Sequence, residues 1–136
     1  MFFRRRRDRL ASEILARPGA RVAYRLLTPA DRFLGAFRRL PGVLGLLADR
    51  LVFETWLEPP VEIPLSCVTK LVSGKVLSTG RRLWRAECLT VTADGALHEF
   101  QPTHASAEQW RRALSEWVAR QRSASAVVTP GRAPSG

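Results

Sequence analysis

From residue 43 to residue 101 the sequence is a succession of short apolar runs separated by turn-forming residues, which is typical of antiparallel strands. In the segment 61–67 every second residue is apolar, so one face of that strand would be buried and the other exposed. Asp94-Gly95, between two such runs, is a strong signal for a tight hairpin. Together with a short run near the N-terminus, these patterns predict seven strands, at 21–27, 43–48, 51–56, 61–66, 68–73, 83–92 and 96–101.

The segment 106–121 has the pattern of an amphipathic helix. Ser106 and Gln109 have the spacing of a capping box. Trp110, Leu114 and Trp117 repeat at helical intervals, while the opposite side of the helix carries charged residues. A bent antiparallel sheet leaves an apolar opening, and we expect this helix to cover it.

Two further helices are expected in the first third of the chain. A short one at 4–17 would be stopped by Pro18-Gly19. Thr28 and Pro29 suit a helix cap and a first helical position, and the apolar residues after them repeat at helical intervals, which predicts a second helix at 29–40. The chain is thereby predicted to contain a basic N-terminal helical segment at 1–19, one domain at 20–122 and a disordered tail at 123–136.

Several motifs, taken in this order, are similar to those of bacterial pleckstrin-homology-like (PH-like) and GRAM-like domains. They are the segment 45–53, which ends in Arg-Leu-Val-Phe, the Ile-Pro-Leu strand within 61–65, the hairpin 89–95 with Phe100, and Trp110 with Leu114 in the closing helix. The resemblance implies an α+β, mainly β fold: a PH-like seven-stranded antiparallel roll closed by a C-terminal amphipathic helix. The extra N-terminal helix and the helical insertion at 29–40, between the first two strands, would depart from it.

The same resemblance implies a non-catalytic binding or adaptor module. In such domains the segment between the first two strands commonly meets phosphoinositide headgroups, which implies a role for Arg32, Arg38 and Arg39. The family's lipid-binding pattern also places an arginine on the following strand, and the predicted strand 43–48 has no basic residue.

The charge of the chain is strongly basic and unevenly distributed. The formal net charge is +10, and residues 1–50, with 12 arginines and 4 acids, hold +8 of it. Such an excess predicts an anionic partner, either a membrane surface or a nucleic acid. The candidate residues for binding anionic lipid or phosphate are Arg4, Arg5, Arg6, Arg7, Arg9, Arg32, Arg38, Arg39, Arg81 and Arg82, with Phe2 and Phe3 as candidates for membrane insertion.

Other interpretations of these charges remain open. The basic terminus could serve only to keep the protein in solution, or the domain could act on a protein partner. Nucleic-acid binding is the alternative function, although the basic residues of the chain are not interleaved with aromatic residues as they are in known nucleic-acid modules. Trp56 and Trp84 suit either a binding platform or packing against the sheet.

Catalytic motifs are missing from the sequence, which predicts that the protein is not an enzyme and has no cofactor, metal or small-molecule substrate. His98 and His104, its only histidines, have no nucleophile or metal-ligand motif around them. Cys67 and Cys88 are expected to be buried free thiols in a reducing compartment. The longest apolar run is shorter than the roughly 18 residues of a membrane span. Residues 8–13, after the N-terminal arginines, supply neither the apolar region nor the cleavage site of a secretory signal, so we expect a cytoplasmic protein whose membrane contact would be peripheral, on the inner face.

Overall fold

The structure of the protein is a computed structural model, and it describes residues 2–35, 38–75 and 87–128. Two helices come first, α1 (Phe2–Leu15) and α2 (Ala20–Ala23). The described residues then form seven strands and a last helix: β1 (Leu26–Leu34), β2 (Arg38–Leu46), β3 (Arg50–Glu54), β4 (Val61–Pro64), β5 (Val68–Gly74), β6 (Cys88–Ala93), β7 (Ala96–Pro102) and α3 (Ala107–Val128).

All seven strands belong to one antiparallel sheet in the order β4-β3-β2-β1-β7-β6-β5. The predicted hairpin between β6 and β7 is confirmed, because Asp94 and Gly95 adopt positive φ angles of 50° and 76° that suit its tight turn. A 3-10 turn at Leu65–Cys67 separates β4 from β5, and the β5–β6 register shifts between Val68 and Lys70.

The hydrophobic core lies on the inner face of the sheet. Leu44, Leu51, Leu89 and Phe100 are fully buried there, with Trp110 of α3 among them. α3 packs on β5, β6 and the 3-10 turn. The predicted seven-stranded antiparallel sheet with an N-terminal helix and a closing C-terminal helix is therefore confirmed.

The capping box predicted at the start of α3 is also present. The backbone N–H of Gln109 donates to Ser106 Oγ at 3.0 Å, and the backbone N–H of Ser106 donates to Gln109 Oε1 at 2.8 Å. Two N–H groups that the helix itself leaves unpaired are satisfied in this way.

The predicted helical insertion at 29–40 is wrong. Its residues form most of β1 and the start of β2, which pair with each other around the connection that begins at Gly35. Gly35 has a φ of 78°, a left-handed conformation that reverses the chain. The helix-start preferences of Thr28 and Pro29 are local, and the pairing of β1 with both β2 and β7 overrides them.

Two other boundaries differ from the prediction. Only residues 26 and 27 of the strand predicted at 21–27 are in a strand, since 20–23 form α2. α3 continues to Val128, so 123–128, predicted as part of a disordered tail, are helical. Residues 129–136, and residues 83–86 of the predicted strand 83–92, lie outside the described residues.

Candidate functional site: a basic helix on the outer sheet face

α1 lies on the outer face of the sheet, on the opposite side from the core. It packs against β1 and β2, and its Ile14 is only 1% exposed. Arg17, just after the helix, donates two hydrogen bonds to the carboxylate of Glu54 on β3, at 2.9 and 3.0 Å. An apolar contact and a bidentate ion pair thus fix the C-terminal half of the basic segment on the sheet.

The N-terminal half of α1 is fixed by Asp31 of β1. Arg7 Nη1 lies 2.9 Å from Asp31 Oδ1, and Arg39 Nη1 of β2 lies 3.5 Å from Oδ2 of the same carboxylate. The side chains of Arg7 and Asp31 are 14% and 19% exposed. This carboxylate brings together two groups of predicted anion-binding residues that are far apart in the sequence, one from α1 and one from the β1–β2 hairpin.

The other arginines of α1 face solvent. Arg4, Arg5 and Arg9 are exposed, and in the described part of the chain none of them has an acidic partner within 4 Å. The guanidinium carbon of Arg6 is 5.1 Å from the ring centroid of Trp56, within cation–π distance. A cavity of about 200 Å³ lies between this side of α1 and Trp56.

These arginines occupy an electrostatically unfavourable position. The N-terminal end of a helix carries a partial positive charge, and acidic residues normally stabilise it. The first turn of α1 has no acid, and four consecutive arginines, 4–7, occupy its first two turns. The exposed end of α1 is therefore a concentrated positive surface, which we call the α1 basic surface: Arg4, Arg5, Arg6 and Arg9.

Arg32 lies on β1 and Arg38 on β2, but neither pairs with the Asp31 carboxylate that joins Arg7 and Arg39. Arg32 alternates with Asp31, so it faces the other side of the sheet, and its Nε is buried with no hydrogen-bond partner in the described part of the chain. Burial, with a smaller contribution from the Arg32 charge, lowers the pKa of His98. Arg38 Nη2 lies 3.4 Å from Glu58 Oε1.

The remaining predicted site residues are not described. Arg81 and Arg82 lie outside the described residues, as does Trp84, and so do the side chains of Phe2 and Phe3, whose backbone belongs to α1. Sequence analysis missed Asp31 as the residue that anchors α1, because position 31 lies inside the helix predicted at 29–40. The glycine at 35, unfavourable inside a helix, was the available signal for a hairpin there.

A metal centre is absent from the described residues. No set of three or more His, Cys, Asp or Glu side chains among them could hold a metal ion. His104 Nε2 is 3.8 Å from Asp8 Oδ1, and the free thiol of Cys88 has a pKa raised to about 11, mainly by burial. A helix with the length and apolar character needed to cross a membrane is also absent from the described part of the chain.

Comparison with known proteins gives similarity in structure only. No protein-family model and no curated protein sequence matches the chain. Among solved structures, the Vps36 N-terminal PH domain superposes with a TM-score of 0.56 and 10% identity, over 74% of this chain and 81% of that domain. The C-terminal domain of an unknown protein from Leishmania infantum superposes with a TM-score of 0.53 and 16% identity, over 70% of this chain and 84% of that domain.

A third similar structure is the PDZ-RhoGEF DH/PH fragment in its complex with GTP-gamma-S activated RhoA. Its TM-score is 0.50 with 18% identity, over 87% of this chain but only 35% of that one. These superpositions and the strand order show that the chain has a PH-like fold.

Proposed function

We propose that this protein is a non-catalytic binding module that attaches to an anionic membrane surface through the α1 basic surface. The observation that carries the proposal is the exposure of Arg4, Arg5 and Arg9 on a helix that the sheet holds in place. The protein would act in the cytoplasm, peripherally on the inner face of the cell membrane.

The fixed position of α1 distinguishes this surface from a solvated basic tail. Ile14, the Arg7–Asp31 ion pair and the Arg17–Glu54 ion pair hold the helix along its length. The exposed arginines therefore keep their direction relative to the sheet. Preorganisation of this kind favours binding, because less conformational freedom is lost when the partner is met.

Electrostatics favours an anionic partner at this end of the molecule. The arginines of the first two turns repel one another and the positive end of the helix dipole. Negatively charged headgroups would relieve both effects, with a gain of about 1 kcal/mol for each basic residue near the membrane surface. Three to four residues then supply about 3–4 kcal/mol, and burial of Phe2 and Phe3 at the interface would add to it.

A flat anionic surface suits this arrangement better than a nucleic acid does. Nucleic-acid recognition through phosphates uses the arginines alone and gives the two phenylalanines beside them no role. Interfacial membrane segments usually insert apolar side chains that lie next to basic side chains. The β1–β2 hairpin, with Arg39 at the Asp31 carboxylate, lies beside α1 and would approach the same surface.

The proposal is tested by co-sedimentation with vesicles of phosphatidylcholine, either alone or with about 30% phosphatidylserine. We expect binding to the anionic vesicles only, decreasing with salt. The variant with Arg4→Gln, Arg5→Gln and Arg9→Gln should lose most of the binding. The matched control, with Arg21→Gln, Arg112→Gln and Arg120→Gln, removes the same charge elsewhere and should keep it.

Two further variants separate lipid from nucleic acid. Deletion of residues 2–9 should weaken vesicle binding strongly while the sheet stays folded, and Phe2→Ser with Phe3→Ser should weaken it at constant charge. If the two arginine triple variants lose vesicle binding to the same extent, binding depends only on net charge, which would contradict the proposal. Displacement of all binding by duplex DNA, with no effect of the phenylalanine changes, would favour nucleic-acid binding instead.

A further inference from the structure

A small cavity lies between one side of α1 and Trp56, at the border of the α1 basic surface. Its volume is about 200 Å³, and it is lined by Arg6, Arg9, Leu10 and Glu13 of α1 and by Trp56, between β3 and β4. The four helix residues are spaced at i, i+3, i+4 and i+7, so they form one stripe along the helix. Sites for drug-sized ligands measure roughly 300–1,000 Å³, so the occupant of this cavity would be a smaller group.

Trp56 positions one of the two arginines of the cavity. The guanidinium carbon of Arg6 lies 5.1 Å from the centroid of the Trp56 ring, within cation–π distance. A guanidinium stacked in this way has less freedom to lose when it meets an anion. Because the ring already contacts a guanidinium, it is less suited to a quaternary ammonium, the cation that aromatic cages commonly bind.

Glu13 is an exposed acid beside a surface that is otherwise basic. Arg9 and Arg17 lie four residues before and after it, the usual spacing for an ion pair on a helix. Arg17 is bound by Glu54, however, and no basic group of the described residues lies within 4 Å of the Glu13 carboxylate. The cavity is therefore lined by arginines towards the start of α1 and by an unmatched carboxylate towards its end.

This separation of charge suits a ligand that carries an anion and a cation close together. Arginine matches the geometry of a phosphate, and a primary ammonium has three N–H donors that a carboxylate can accept. Arg9 and Glu13 are about 6 Å apart along the helix axis, so their long side chains can reach a phosphate and an ammonium that two carbons separate. A quaternary ammonium has no N–H to donate to Glu13.

We propose that this cavity binds the phosphoethanolamine group of an aminophospholipid, with the phosphate at Arg6 and Arg9 and the primary ammonium at Glu13. The inference rests on the proposed function, because attachment through α1 brings the cavity to the headgroups. Arg6 and Arg9 belong both to the α1 basic surface and to the cavity, so the lipid bound here would lie in the layer that this surface meets. The protein would then select its membrane by headgroup structure as well as by charge.

The test compares two kinds of vesicle with the same surface charge. Both contain about 30% phosphatidylglycerol, and in one of them phosphatidylethanolamine replaces phosphatidylcholine. We expect the full chain to bind the vesicles with phosphatidylethanolamine about threefold more tightly or better, since one exposed ion pair is added. Glu13→Gln should bind both kinds equally. The matched control Glu116→Gln removes an exposed acid from α3 and should keep the preference.

A second measurement separates a lipid from a soluble ligand. Glycerophosphoethanolamine, titrated into the 15N-labelled full chain, should shift the amide signals of residues 6–13 and the indole signal of Trp56 saturably, and glycerophosphocholine should not. The same shifts without any effect of phosphatidylethanolamine in vesicles would assign the cavity to a soluble phosphate ester and overturn the lipid.

Other outcomes would also overturn the proposal. Equal binding of the full chain to both vesicles, or a preference that persists in Glu13→Gln, would show that the headgroup is not recognised at this cavity. Absence of binding to any anionic vesicle would instead contradict attachment through α1, and the titration with glycerophosphoethanolamine would still decide whether the cavity binds the headgroup. The two failures are therefore distinguishable.

Discussion

The indole N–H of Trp110 donates to Thr28 Oγ1 at 3.0 Å, and both side chains are buried, 0% and 6% exposed. The bond links the closing helix to the first strand across 82 positions of the sequence. A buried indole N–H without a partner is unfavourable, so this acceptor makes it possible to use the largest side chain at the centre of the core. The hydroxyl that sequence analysis assigned to a helix cap has this role instead.

The first prediction concerns this pair. Thr28→Val keeps the shape of the side chain but leaves the indole N–H unsatisfied, and should lower the free energy of unfolding by about 1–3 kcal/mol. Trp110→Ala should lower it by about 3–5 kcal/mol, because it also leaves a cavity. Urea titrations followed by circular dichroism measure both.

A double-mutant cycle with Thr28→Val and Trp110→Phe isolates the coupling, which should be about 0.5–3 kcal/mol. The exposed Arg112→Ala is the control and should change stability by less than about 0.5 kcal/mol. Additive effects of the two changes would show that the hydrogen bond contributes nothing.

The second prediction concerns Gly42 in β2. A Cβ at this position would collide with the backbone carbonyl of Glu54 and approach Phe53 Cζ to 2.7 Å. Both neighbours belong to β3, which is paired with β2, so neither moves easily. Gly42→Ala should therefore destabilise the protein by about 1–3 kcal/mol in thermal or urea unfolding.

Gly74, at the end of β5, is the control for this change. Nothing lies within 4 Å of a Cβ built there, and its φ is not positive. Gly74→Ala should change stability by less than about 1 kcal/mol and can raise it, because alanine restricts the unfolded chain. Equal losses in the two variants would mean that the close approach of β2 and β3 is not what requires glycine at position 42.

The sequence was most informative where local and tertiary preferences agree. The alternation over 61–64, the Asp94-Gly95 turn and the capping box at Ser106 all predicted what the structure has, whereas 65–67, predicted to continue the strand, form a 3-10 turn. In each case a few adjacent residues determine the geometry, and the fold requires the same geometry. That consistency is what makes an element predictable from its own residues.

Prediction failed where tertiary contacts overrule local preference. Thr28 and Pro29 suit the start of a helix, but the strand they belong to gains a partner on each side and a buried hydroxyl bond. For the candidate site, the sequence identified the arginines of α1 but not the arrangement that holds them. Asp31 is an isolated acid in the sequence, and only the docking of α1 on β1 and β2 shows that it pairs with Arg7 and Arg39.

The third prediction concerns pH. The hydrogen bond from Arg111, followed by that from Ser73, lowers the pKa of Glu108 from 4.5 to about 2. Because the folded pKa lies below the unfolded one, the stabilisation is complete above about pH 4.5 and is lost as the pH falls towards 2. Glu108→Gln should therefore be less stable than the unmodified protein at pH 7, and the difference should shrink below pH 4.5 and vanish near pH 2.

Urea midpoints measured from pH 2 to pH 7 give this difference directly. Glu116→Gln is the control, since Glu116 forms an exposed ion pair with Arg120 on the same helix, and such pairs contribute little. A gap between Glu108→Gln and the unmodified protein that stays constant down to pH 2 would contradict the assignment of the stabilisation to the ionised carboxylate.

The last prediction concerns the two free thiols, which should differ sharply in reactivity. Cys88 is 1% exposed on β6, and burial is the main cause that raises its pKa to about 11, so only about one molecule in a thousand carries the thiolate at pH 8. Cys67, in the 3-10 turn, is half-buried.

With a thiol-reactive disulfide reagent at pH 8, we expect one thiol to react fast and the other to react only as the sheet opens. Cys67→Ser should abolish the fast phase, Cys88→Ser should leave it intact, and urea should make both thiols react quickly. A fast reaction of Cys88 in the folded protein would show that β6 does not bury this side chain.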